Sequence, residues 1–152
     1  MTTGNLFTPE SVRIHPGSAT RDEALREATD LLVAAGAVTP AYYQAMQDRE
    51  RSVSTFMGTG LAIPHGTFEA LDTVIGAALS FVRYDGGVDW GGHPVTFVVG
   101  IAGAEGEHLE LLSQIALLFA DATQVERLRE ALTPEELFDL VVGGGSGGFS
   151  RR

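Results

Sequence analysis

The chain has 152 residues, no cysteine and a formal net charge of −10, which suits one domain, since a chain this long buries roughly 70% of the surface it would expose unfolded. The lack of cysteine excludes disulfides, thiolate metal sites and cysteine nucleophiles. The acidic balance excludes nucleic acid as a partner, because gripping a phosphate backbone takes clustered Lys and Arg.

The opening, Met1-Thr2-Thr3-Gly4-Asn5, has neither a basic nor an apolar leader segment. Up to about Gly17 no period is visible, although Val12-Arg13-Ile14 suits a short strand. Thr20 with Glu23 has the spacing of a capping box. Leu25, Ala28, Leu31, Leu32 and Ala35 then share one helical face, which Gly36 is placed to end. A second helix is expected from Thr39-Pro40, with proline at its first position, running through Tyr43, Ala45 and Met46 to deliver Arg49.

Residues 74–84 read as a strand, Asp85-Gly86-Gly87 as a turn and Val88-Asp89-Trp90 as the returning arm, hence a β-hairpin. Residues 95–101, continuous and β-branched, read as a central strand buried on both faces. After the glycine-bearing break at 103–106 a helix is expected over about 107–120, with Leu109, Leu112, Ile115, Ala116 and Phe119 on its apolar face. Thr123 with Glu126, and Thr133-Pro134 with Glu136, open two more short helices. The expected organisation is one domain over 1–142 and a flexible Gly/Ser-rich tail over 143–152. That tail spells both G-x-G-x-x-G and G-x-S-x-G, yet each motif needs a strand before it and here a helix precedes. The apolar stretches at 95–104 and 115–120 fall short of the roughly 18 residues of a membrane span. A cytoplasmic α/β (α+β) domain with no direct membrane insertion is therefore expected, helices packed around mixed strands.

The most informative stretch is 49–66, which ends in Ala62-Ile63-Pro64-His65-Gly66 after a glycine-bracketed turn. His65 stands at the end of a short apolar strand, between a proline that stiffens the backbone and a glycine without Cβ bulk. An imidazole titrates near neutrality, so it can attack as a neutral nucleophile and later act as a leaving group. One ring nitrogen must then face the electrophile while the other donates to a fixed acceptor, often a backbone carbonyl. Read in isolation, Pro-His-Gly more often describes a histidine tucked into a turn; the surrounding segment reverses that preference.

That segment, with its Arg49-Glu50 pair, its Ser54-Thr55-Phe56-Met57-Gly58 run and the 62–66 core, resembles the phosphorylation site of the mannitol/fructose-type IIA components of the bacterial phosphoenolpyruvate-dependent sugar phosphotransferase system. Within that family the wording is nearest to free-standing mannitol-specific members. Glu107-His108-Leu109-Glu110-Leu111-Leu112 resembles the family's second histidine motif, and with the order of helices and strands the likeness extends to about residue 142. The resemblance implies a mixed central sheet flanked by helices, and a phosphohistidine on His65. It implies that His108, near a helix N-terminus where unpaired N–H groups gather, donates a hydrogen bond to the phosphoryl group. Arg49 would supply a permanent cation able to bind two phosphoryl oxygens in a fork; its alternative is a solvated arginine at a helix C-terminus.

Ser54 and Thr55 are weak hydroxyl candidates, and Glu107 has no assigned chemistry. His15 and His93, each followed by proline, read as loop residues outside the site. Thr59 stands where the family often has Asn between two glycines, which puts that turn's geometry in question.

The implied mechanism is a pair of in-line displacements: from the histidine phosphocarrier protein HPr to His65, and from His65 to a cysteine on the IIB domain of a membrane mannitol permease. No cofactor and no metal are expected. A free-standing subunit acting in trans is expected, since no IIB or IIC segment is present. The alternatives are a nitrogen-type regulatory IIA protein signalling by phosphorylation state, a metal hydrolase built on His65, His93 and His108, and a binding module that has lost transfer. No H-x-x-x-H spacing supports the metal reading.

Overall fold

The computed structural model describes residues 7–66, 74–103 and 105–144, the side chains of 105–108 and 144 excepted. After a short 3-10 turn at Pro9–Ser11 come strands β1 (Val12–His15) and β2 (Ser18–Ala19) and helices α1 (Arg21–Ala34) and α2 (Tyr42–Ser52). The hairpin β3 (Phe56–Gly58) and β4 (Leu61–Ala62) follows, then the long strands β5 (Ala78–Trp90) and β6 (His93–Ala102). Helices α3 (Glu105–Phe119), α4 (Ala122–Glu130) and α5 (Pro134–Gly144) complete the order.

The strands form one mixed sheet in the order β1-β5-β6-β4-β3, with β2 also paired to β5. β6 lies at its centre, antiparallel to β5 and parallel to β4. Alternation along the strands splits the core into two layers. Phe97, Val99 and Ile101 of β6 join Leu79 and Phe81 of β5 against Leu111, Ile115, Leu128 and Val141 of the last three helices. Val98 and Ala102 face the other way, with Val82 and Trp90, onto Leu25, Ala28 and Leu32 of α1 and Met46 of α2. The mixed sheet flanked by helices is the fold the sequence implied.

Local signals held where they were short-range. Thr20 and Glu23 form the full capping box of α1, with bonds of 2.9 and 3.1 Å, and Gly36 follows the C-cap Ala35. Glu136 N donates to Thr133 Oγ1 at 3.1 Å at the start of α5. That helix carries Gly143 and Gly144 beyond the boundary expected at 142, and residues 145–152 of the expected tail lie outside the described residues.

Four expectations need correction. The second helix starts at Tyr42, because Thr39 and Pro40 form a turn that accepts from Tyr42 N and Tyr43 N before the α-helical ladder begins. Asp121, rather than Thr123, caps α4 by accepting from the N–H groups of Thr123 and Gln124. The hairpin reverses at Gly91–Gly92, both at positive φ, and not at Asp85-Gly86-Gly87. There the strand bulges: Gly86 N donates to Gly17 O at 3.0 Å, and a Cβ on Gly86 would sit 2.6 Å from the Gly17 backbone, so the bulge exists to seat β2. Finally, His15 ends β1 and His93 opens β6; neither is a loop residue. His15 Nε2 bonds Glu27 at 2.7 Å while its ring stacks on Tyr84, and His93 stacks on Phe56 at 4.4 Å.

Candidate active site

The β3–β4 hairpin carries the nucleophile candidate to the end of the sheet. Its turn, Thr59-Gly60, has positive φ at both residues (52° and 76°), the geometry of a type I′ turn that favours Asn-Gly. Thr59 adopts it against the crowding of a β-branched side chain, with its hydroxyl bonded to Gly58 O at 2.6 Å. β4 pairs with β6 only at Leu61 and Ala62. Backbone bonds extend the tie past the strand: Ile63 N donates to Thr55 O at 3.0 Å and Ile101 N to Pro64 O at 3.1 Å. His65 thus sits just past the end of β4, beyond which its segment is still tied to β6, the usual location for a site in an open α/β sheet.

His65 is 9% exposed, and its Nδ1 lies 2.8 Å from Ile63 O. A carbonyl only accepts, so Nδ1 carries the proton and the ring's lone pair is on Nε2. This is the fixed acceptor that a nucleophilic histidine needs.

The next peptide is held equally firmly. Tyr42 O–H donates to Ile101 O at 2.8 Å and accepts from Gly66 N at 2.9 Å. Burial is the main cause that pushes the Tyr42 phenol up to about 12, with the Gly66 bond opposing it, so the hydroxyl stays protonated as the bridge requires. A Cβ on Gly66 would lie 2.7 Å from the Tyr42 ring, so glycine is needed here for close approach.

A cleft of about 350 Å³ opens at His65, lined by Arg49, Ser54, Thr55, Met57, Ile63 and, from α3, Leu112, Ser113 and Ala116. Arg49 reaches it from the last turn of α2, and its buried Nε has no hydrogen-bond partner among the described residues. Arg49 and His65, both expected in the site, therefore line one cleft. His108 falls in the first turn of α3, but its side chain lies outside the described residues, as does that of Glu107. Thr55 is buried and its hydroxyl donates to Glu50 at 2.5 Å, which removes it as a donor to a bound group. Ser54 stays at the rim and accepts from Phe56 N.

The rim is apolar. Val53, Met57 and Leu109 are 59%, 54% and 59% exposed. The expected core face of α3 comprised Leu109, Leu112, Ile115, Ala116 and Phe119. Ile115 and Phe119 of that face are in the core and Leu112 is half-buried against it, but Leu109 and Ala116 are exposed, and Leu111 and Leu118 complete the buried stripe. Two residues that hold the site escaped the sequence reading: Tyr42, which no motif singled out, and Glu50, noticed only as Arg49's neighbour. Among the described residues no cluster of three metal-ligating side chains occurs, and no helix is long and apolar enough to cross a membrane.

The chain is 49% identical over 132 residues to the mannitol-specific phosphotransferase enzyme IIA component of Staphylococcus aureus, covering 87% of this chain and 92% of that one. Its fold superposes on enzyme IIA mannitol of Escherichia coli from a complex with phosphorylated enzyme IIB mannitol, with a TM-score of 0.82, 34% identity and coverage of 91% and 99%. A crystal structure of the E. coli IIA mannitol protein gives a TM-score of 0.79 at 35% identity, covering 87% of this chain and 96% of that one. The family model described as phosphoenolpyruvate-dependent sugar phosphotransferase system, EIIA 2, matches residues 5–142, so the chain belongs to that family and is a phosphotransferase component.

Proposed function

We propose that this protein is the cytoplasmic phosphoryl carrier of a mannitol phosphotransferase system, phosphorylated on Nε2 of His65. The observation that carries the reading is the Nδ1–H bond to Ile63 O, which leaves the lone pair on Nε2 at a cleft that also holds Arg49.

The phosphohistidine of HPr docks over Met57 and Leu112 of the cleft and the exposed Val53 and Leu109. Nε2 of neutral His65 attacks phosphorus in line as the P–N bond to HPr breaks, and the departing imidazole keeps its own proton. The ring on His65 gains positive charge as the new P–N bond forms, so its Nδ1–H bond to Ile63 O becomes charge-assisted and stronger. Arg49 and His108 bind phosphoryl oxygens. A buried guanidinium N–H without an acceptor costs about 1–3 kcal/mol, which a phosphoryl oxygen offsets. Positioning and charge stabilisation supply most of the catalysis through a loose transition state. A cysteine thiolate on the IIB domain of the permease then attacks, and neutral His65 is restored.

Identity of 49% to a mannitol-specific IIA component favours this over the nitrogen-type regulatory reading. Transfer separates the two. Phosphorylated protein mixed with a mannitol IIB domain should lose its adduct as the IIB cysteine gains one. Retention of the adduct, together with phosphorylation-dependent binding to a regulatory partner, would favour signalling instead.

A further inference from the structure

We infer that Glu50 is a positioning residue of the site, acting on the His65 tautomer through Thr55 and Ile63; the inference rests on the phosphoryl-carrier reading above. Glu50 follows Arg49 in the last turn of α2, yet its carboxylate is turned to three donors from elsewhere. Thr55 N donates to its two oxygens at 3.2 and 3.1 Å, Thr55 Oγ1 donates at 2.5 Å, and the indole N–H of Trp90 donates at 2.9 Å. Trp90 is fully buried and Thr55 is 4% exposed, so these donors have little access to water as an alternative.

The chain of bonds continues into the site. Thr55 O accepts from Ile63 N at 3.0 Å, and Ile63 O accepts from His65 Nδ1 at 2.8 Å. Glu50 therefore ties the helix turn that carries Arg49 to the peptide that selects the His65 tautomer.

Only a carboxylate fits this place. It offers acceptors alone, whereas the amide of a glutamine would turn an NH₂ group toward one of the three donors. Aspartate is one methylene short of the same reach. Loss of the clamp frees Thr55, and with it the hairpin end on which the Ile63 carbonyl depends. An error of about 1 Å in a reacting group costs on the order of 100-fold in rate.

The test is Glu50→Gln in the full chain, with Thr55→Val as a second variant that removes one donor at nearly constant shape. Two readouts are followed: the protonated nitrogen of His65 by ¹⁵N NMR on unphosphorylated protein, and the single-turnover rate of phosphoryl transfer from phosphorylated HPr. Fluorescence of the single tryptophan reports whether the Glu50–Trp90 bond has broken. In wild type the proton resides on Nδ1. In Glu50→Gln a mixture of tautomers should appear and transfer should slow about 10- to 100-fold, with the half-saturating HPr concentration unchanged. Thr55→Val should shift the tautomers the same way, and it decides the question should Glu50→Gln not fold. A wild-type tautomer and rate in a folded variant, with only the melting temperature lowered, would reduce Glu50 to a structural residue and overturn the inference. If wild-type protein accepts no phosphoryl group, the carrier reading fails on its own, and the tautomer comparison still decides the role of Glu50.

Discussion

Among the described residues the buried Nε of Arg49, at the cleft beside His65, has no hydrogen-bond partner, a costly arrangement unless an anion visits it. Arg49→Ala should slow phosphoryl acceptance by His65 on the order of 100- to 1,000-fold, as loss of a directed donor to a developing anion does. Arg49→Lys keeps the charge but loses the fork, and should recover only part of the rate. Single-turnover transfer at saturating donor checks both, and a wild-type rate in Arg49→Ala would remove the residue from the mechanism. That His65 and Arg49 line one cleft was legible in sequence, because they belong to one contiguous segment whose wording is specific. Tyr42 and Glu50 were not, because what they do depends on partners 24 and 40 residues away, Gly66 and Trp90. Helical periodicity carries no trace of such contacts.

Among the elements, the β3–β4 hairpin holds the clearest conflict between sequence and conformation. Thr59 at a φ of 52° occupies a region that suits Asn far better than a β-branched residue. Thr59→Asn should stabilise the protein by about 0.5–1 kcal/mol while leaving transfer unchanged, a result read from urea denaturation and the transfer assay. A loss of stability would mean that the Thr59–Gly58 bond outweighs the backbone strain. Helix α3 shows where pattern reading reaches its limit. Leu109, Leu111, Leu112, Ile115, Ala116, Leu117, Leu118 and Phe119 supply enough apolar positions for two faces. Periodicity identifies an amphipathic helix but does not say which apolar stripe packs on the sheet and which serves a partner. The hairpin turn was misplaced for a related reason: Asp85-Gly86-Gly87 has turn chemistry, but its glycines serve a bulge that receives β2.

For the molecule as a whole, the far end of the sheet contributes stability that is independent of the site. Burial raises the Glu27 carboxyl, but hydrogen bonds from Tyr84 and His15 and the charges of His15 and Arg13 more than offset this, leaving it below its ordinary value of 4.5. A carboxylate lowered on folding stabilises the native state above its unfolded value, and that contribution disappears as pH falls through the folded one. The urea midpoint of Glu27→Gln should therefore lie below that of wild type at neutral pH, with the gap closing at acid pH once the folded carboxyl is protonated. An equal gap at both pH values would show that the loss is one of packing. The net charge of −10 predicts faster encounter with a basic carrier at low salt, an effect screened as ionic strength rises.

The central claim is that His65 carries phosphoryl on Nε2. Intact-mass analysis after incubation with phosphoenolpyruvate, enzyme I and HPr, followed by ¹⁵N NMR of the phosphorylated ring, tests it most directly. One acid-labile phosphoryl adduct, bonded at Nε2 and lost in His65→Ala, is the predicted result. An adduct at Nδ1, an adduct that survives in His65→Ala, or no adduct while a control IIA protein is phosphorylated in the same mixture, would contradict it.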